Sequence, residues 1–261
     1  MLKQLPIAIA LLFATQARAD EQPFCAQRPG QTTPPCITPK GRVLLELGLV
    51  DWSLQSDSSQ RSDTIALGQI QLRYGLGGGT EFQLGLNPYT HQRSRDRASS
   101  QITQAQGFGD ITLGIEHGLT QGKLASSINI YARLPSGKSP IGAGDWSVGA
   151  KLPVAWQPHD GLEFDLTPEL DAAVNHSGSG RHLAYGTAVG MPFALSKRLQ
   201  LGLDLSVLHD DDPSGAITTG RAGASLAYRL SSNAQLDLGG TKGLDPNSPN
   251  VELYTGVALR F

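Results

Sequence analysis

Four carboxylates share one side of a single alternating stretch: Glu163, Asp165, Glu169 and Asp171, with Leu162, Phe164 and Leu166 at intervening positions. Period two puts such a set on one face of a β-strand. A row of carboxylates attracts cations, accepts hydrogen bonds from polar solutes, or pairs with bases. Bases stand at equivalent positions of other alternating stretches: Arg73, Arg133 and Lys151 most clearly, then Arg42, Arg221, Arg229 and Arg260. Further acids on the same side are Glu46, Glu81, Asp110, Glu116, Asp145, Asp204, Asp237 and Glu252. A hairpin through residues 158–161 places Lys151 near Thr167 and Glu169, so one pairing follows directly.

Catalytic and metal chemistry find less support. The six His are scattered, and no HExxH spacing occurs. His209-Asp210-Asp211-Asp212 offers carboxylates to a hard cation, but it lacks the EF-hand spacing and reads as a solvated loop. The glycines of 75–79 precede a strand rather than a helix, so they make a tight turn and not a phosphate cradle. His182 and Ser206 fall on nearby strands without an evident third member, and no G-x-S-x-G elbow appears. The expectation is no catalytic residue, no metal ligand and no cofactor. A net charge of −2 gives no basic face for nucleic acid.

Cys25 and Cys36 flank Pro29, Pro34 and Pro35, a stretch unsuited to regular helix or sheet. Their gap is unlike the Cys-x-x-Cys arrangement of reactive thiols. A structural disulfide closing this loop stabilises by about 2–3 kcal/mol in the chain-entropy view.

The elements that must position these groups all have one rhythm. From Arg42 onward, apolar and polar or small residues alternate over about 9–12 positions before a turn cluster intervenes. About twelve such segments centre near Gly48, Gln69, Gln83, Leu113, Asn129, Lys151, Thr167, Thr187, Leu203, Ala224, Leu238 and Val257. That length suits a tilted strand crossing a bilayer, at about 9–11 residues, better than a soluble strand of about 5–6. No apolar run reaches the roughly 18 residues of a membrane helix.

Connections alternate in kind. Short ones fall at 75–79, 118–122, 158–161, 195–197 and 231–233; longer polar ones fall at 55–63, 88–107, 135–144, 175–180, 209–215 and 244–250. Short turns on one rim and long loops on the other are the layout of an outer-membrane barrel. Tyr74, Phe82, Trp156, Phe164, Phe193, Tyr228 and Phe261 lie beside short turns, and Trp52, Tyr89, Phe108 and Trp146 lie near long loops, as two interfacial girdles would require. The fold expected is all-β: a transmembrane, antiparallel, up-and-down barrel of about twelve strands with periplasmic turns and extracellular loops. Charges facing lipid would cost about 2–4 kcal/mol each for Arg or Lys at midplane, so the ionisable residues are expected to line the lumen.

Residues 1–19 have a basic start at Lys3, a short apolar run and the small-x-small site Ala17-Arg18-Ala19, the layout of a secretory signal peptide. The mature chain is then expected to begin at Asp20. Residues 20–41 form a Pro-rich segment that either plugs the lumen or hangs in the periplasm, and 42–261 form the barrel. Phe261, with apolar residues at every second position before it, resembles the terminal signal read by barrel-assembly machinery.

Several short motifs carry a family resemblance: Arg28-Pro29; Pro39-Lys40-Gly41-Arg42 leading to Glu46 and Gly48; Leu72-Arg73-Tyr74-Gly75-Leu76 followed by Glu81; Gly107-Phe108-Gly109-Asp110; and Leu134-Pro135-Ser136-Gly137. With the terminal Arg260-Phe261, they make the chain similar to a family of outer-membrane barrel transporters labelled for a meta-pathway of phenol degradation. The Cys25/Cys36 pair and the glycine run 77–79 depart from that pattern.

The resemblance implies a bacterial outer-membrane location and passive passage of small, aromatic or hydrophobic compounds. Outer-membrane lipid and small solutes are then the partners. The lumen residues expected to set selectivity are Glu163, Asp165, Glu169, Asp171, Arg73, Arg133 and Lys151. Two other functions fit a barrel: a non-conducting binder acting through its loops, 88–107 first among them, and a lipid-acting hydrolase.

Overall fold

An alternating strand shows one chemistry on each face, and closing the sheet decides which face meets water. The computed structural model describes residues 24–261. The signal-peptide reading of 1–19 and the start at Asp20 fall outside the described residues. Fifteen strand segments follow in order: β1 Val43–Ser56, β2 Gln60–Gly77, β3 Thr80–Leu86, β4 Tyr89–Asp96, β5 Ile102–Gly107, β6 Ile111–Thr120, β7 Leu124–Leu134, β8 Ser147–Lys151, β9 Val154–His159, β10 Leu162–Val174, β11 Arg181–Ala194, β12 Leu199–Asp210, β13 Ile217–Ser231, β14 Ala234–Gly243 and β15 Val251–Arg260. No helix forms among the described residues.

Every pairing between these strands is antiparallel: β2 pairs with β3 and β4, β3 with β6, β8 and β9 each with β7 and β10, and β1 with both β2 and β15. The sheet therefore closes on itself. Three wall strands are interrupted, as β3–β4, β5–β6 and β8–β9, so the wall has 12 strands. Two of the breaks, β3–β4 and β8–β9, have a local cause. Pro88 and Pro153 lack the amide that a ladder needs. At Pro153 the carbonyl still accepts from Ser127 N at 3.0 Å, so β9 resumes the pairing of β8 with β7 and β10. All twelve expected segment centres lie on these strands.

The radial order inverts that of a soluble barrel. Ile115, Ile130, Leu170, Leu205, Leu238 and Leu253 are more than half exposed, whereas Glu46, Arg73, Glu81 and Glu116 are at most 1% exposed. Apolar side chains thus form the outer belt and ionisable ones the interior. Aromatic rings lie in that belt beside the short turns, with Trp156 stacked on Phe164 at 5.8 Å.

The structure differs from the sequence reading at two connections. Residues 55–63 are expected to be a loop, but β1 and β2 run on until only 57–59 connect them. Asp57 closes that tip by accepting from the Ser59 hydroxyl and the Ser59 and Gln60 amides, which hold its carboxyl below the usual range. Residues 88–107, also expected to be a loop, are mostly the β4–β5 hairpin, built on the edge that β2 offers from Gln60 to Leu67. A hairpin beyond the lipid belt meets water on both faces. Its sequence has no need of apolar alternation, so the periodicity that marks the other strands is missing here.

Candidate functional site

Residues 24–41 run along the inner face of the barrel, and the wall meets them with charged groups. Arg73, on β2, is the centre of this contact. Its Nε and Nη2 bind the Glu81 carboxylate of β3 at 2.6 and 3.1 Å, and its Nη1 is 3.5 Å from Glu46 of β1. The same guanidinium donates to the carbonyls of Cys25, at 3.0 Å, and Cys36. Those two cysteines are joined by a disulfide, so one arginine holds both ends of the closed loop.

The carboxylates around Arg73 also reach the segment. Glu46 accepts from the amides of Gln27 and Arg28 at 2.9 and 2.8 Å, and Glu81 accepts from Thr38 N at 2.6 Å. Glu116, on β6, is held by Ser127, Gln83 and Gln27. Buried carboxylates are tolerable when charge and hydrogen bonds both compensate them, and here backbone amides do part of that work. Across the lumen, Arg28 pairs with Asp237 of β14 at 3.0 Å, and Gln31 reaches Asp204 and Ser206 of β12. Phe24 packs against Leu44 and Ala258, beneath the guanidinium groups of Arg229 and Arg260.

Gly75 lets the segment leave the wall. A Cβ there would collide with the carbonyl oxygens of Thr38 and Pro39, and Gly75 O accepts from Gly41 N at 2.8 Å.

The family described as "Putative MetA-pathway of phenol degradation" matches residues 26–261. The chain belongs to this family. No curated protein matches it in sequence. Among solved structures, an outer-membrane channel from Pseudomonas putida F1 superposes with a TM-score of 0.71 at 15% identity, covering 90% of this chain and 99% of that one. The NanC porin gives 0.52 at 9% identity, covering 83% and 98%. The autotransporter NalP translocator domain from Neisseria meningitidis gives 0.52 at 12%, covering 86% and 90%. At such identities the likeness is one of fold: this member of the phenol-degradation family is a bacterial outer-membrane β-barrel.

In this family member, two cavities lie on either side of the segment among the described residues. One, of about 900 Å³, lies toward the short turns and is lined by the segment, Glu163 and Asp165. The other, of about 220 Å³, lies further along the strands and is lined by Gln71, Tyr131, Arg133, Lys151 and Glu169. Gln27 lines both. The acidic row of β10 is brought together as its alternation requires, with Phe164, Leu166 and Leu170 turned outward, but it is cut in two. Thr167, midway along the row, is occupied by Thr33 of the segment.

Beyond the cut, Lys151 Nζ stands 3.4 Å from Glu169, and Tyr131 Oη, with one hydrogen to donate, lies within hydrogen-bond reach of both Glu169, at 2.6 Å, and Asp171. Arg133 lines the smaller cavity and is exposed. Arg73 points inward as expected but lies wholly covered, at 0% exposure, between wall and segment. Tyr131 carries no weight in the sequence reading. Its signal is Gly149, directly opposite it on β8, where the lack of a side chain leaves room for the ring.

The Ser206 and His182 pair does not converge. Ser206 is opposite Ala188 on β11, six residues or about 20 Å along that strand from His182.

Proposed function

We propose that this barrel passes small solutes passively through the outer membrane, and that segment 24–41 sets the size and route of what passes. The observation that carries the reading is the pair of cavities on either side of the segment, with Gln27 on both. Glu163 and Asp165 then act on solutes at the short-turn side, and Glu169, Asp171, Arg133 and Lys151 act beyond the segment. Arg73 anchors the segment and meets no solute.

The larger cavity offers Phe24, Pro34, Pro35, Ile37 and Met191 beside the two carboxylates. A mixed wall of this kind suits small aromatic compounds bearing a hydroxyl, and the family's phenol label supports the same class. The barrel-assembly machinery is the partner proposed for β15, whose edge is completed by Phe261 N donating to Val43 O at 2.8 Å.

Reconstituted full-length protein tests the reading. Planar bilayers should show small, ohmic, cation-preferring steps, and liposomes should take up phenol-sized solutes faster than lipid alone. A barrel that assembles correctly yet gives neither current nor uptake overturns the proposal.

A further inference from the structure

At the long-loop end, His182 is the second residue of β11 and Asp210 closes β12, while Asp212 lies in the loop that follows. One donor atom from each of these three lies within 4.8 Å of the others. His182 is the informative member. Its side chain is only 5% exposed, and its Nε2 is 2.5 Å from Asp210 Oδ1, yet neither atom makes a hydrogen bond. The oxygen therefore lies off the direction in which an N–H at Nε2 would point.

The other ring nitrogen has an acceptor of its own. Asn175 Nδ2 donates to Ser179 O at 3.0 Å, which orients the amide and turns Asn175 Oδ1 toward His182 Nδ1, also at 3.0 Å. A carbonyl oxygen only accepts, so Nδ1 carries a hydrogen there, and Nε2 is the nitrogen turned toward Asp210. When Nε2 presents its lone pair, the Asp210 oxygen at this separation repels it unless a cation joins them. Asp212 adds a second carboxylate, with Oδ2 3.4 Å from the ring at Nδ1. Ser214 holds its Oδ1 through both amide and hydroxyl, and His176 N holds its Oδ2 at 2.6 Å.

We propose that His182, Asp210 and Asp212 bind a divalent first-row transition metal of the zinc class. As ligands, a neutral imidazole and two carboxylates carry a charge of −2, which such an ion balances. Imidazole nitrogen selects against calcium and magnesium, which prefer all-oxygen sites. Asn175 is a positioning residue that fixes the ring as outer-shell partners of metal-bound histidines do. The bound ion ties the 175–180 loop to the 211–216 loop across the end of β11, and so sets the shape of that mouth. This inference is independent of whether the barrel conducts.

The test uses tag-free, full-length protein in detergent, stripped with chelator and titrated with zinc chloride by calorimetry. One zinc per chain is expected, with His182→Ala and Asp210→Asn each weakening binding by 10-fold or more, and Asn175→Ala by about 10-fold. Heat-shifted gel mobility confirms that each variant is assembled. A second readout needs no variant: the His182 Nε2 nitrogen resonance should move on zinc addition in the intact protein. The proposal is overturned if wild type takes up no zinc, if assembled His182→Ala binds zinc as wild type does, or if the Nε2 resonance is that of an imidazolium and does not respond.

Discussion

Thr33 N lies 2.9 Å from Thr167 Oγ1, and the same hydroxyl donates back to Thr33 O at 3.3 Å. This reciprocal pair places backbone from the segment at the middle of the β10 acidic row, with Asp165 on one side and Glu169 on the other. A barrel wall that would otherwise offer one continuous polar track is thereby divided.

Thr167→Val removes both bonds while keeping the shape of the side chain. Two neutral hydrogen bonds are worth about 1–3 kcal/mol together. The segment should loosen while the wall stays assembled. Limited proteolysis from the short-turn side should cut within 24–41 several-fold faster than in wild type, with unchanged heat-shifted mobility.

Arg73→Gln should have a larger effect. It leaves Glu46 and Glu81 without their cation and frees the carbonyls of Cys25 and Cys36. Losing one partner of a buried ion pair costs about 3–5 kcal/mol. Release of the segment joins the two cavities, so single-channel conductance should rise several-fold. An unchanged conductance in the assembled variant would separate this residue from the control of passage.

Replacing Glu163, Asp165, Glu169 and Asp171 with their amides keeps size and hydrogen bonding but removes four charges. Reversal potentials in a salt gradient should shift toward an anion preference, because Arg133 and Lys151 then dominate the lining. Restoring Glu169 and Asp171 alone should recover part of the cation preference and show which side of the segment sets it.

On the outer surface, Leu170 is 54% exposed within β10. Leu170→Arg puts a charge in the lipid belt and should destabilise the barrel by about 2–4 kcal/mol if the residue sits near midplane. Equilibrium denaturation in guanidinium from liposomes measures this directly. Lys151→Arg, on the opposite face of the wall, should change stability far less.

The loop between β14 and β15 should respond to acid. Asp245 accepts from the Ser248 hydroxyl at 2.8 Å and from the amides of Gly220, Asn247 and Ser248, and these bonds hold its carboxyl below the ordinary 3.8. A depressed carboxyl contributes stability above its unfolded value and loses it as pH falls through the folded one. The loop should therefore stay docked on β13 at pH 5 and release only below pH 3.8. Amide exchange at Gly220, followed between those conditions, measures the release.

Period-two alternation determined most of the wall. Leu162 to Asp171 declares its two faces without reference to any other strand, and a one-residue slip would put every carboxylate into lipid, so the register of β10 follows from local order. The twelve strands, all but two of their connections, the outward Trp156 and Phe164, and the Lys151–Glu169 pair were legible in this way. The disulfide was legible too, since Cys25 and Cys36 are near neighbours in the chain. The course of residues 24–41 was not. Their amides can be satisfied by water in the periplasm as well as by Glu46, Glu81 and Thr167, and only closure of the barrel gathers β1, β2, β3, β6, β10, β12 and β14 around one axis. The same closure covers Arg73, which the sequence presents as one more lumen charge. The mouth was equally hidden: Asp210 and Asp212 are close in sequence, but His182 lies on the preceding strand, and their meeting depends on the pairing of β11 with β12 and on the fold of two loops with no periodicity to announce it.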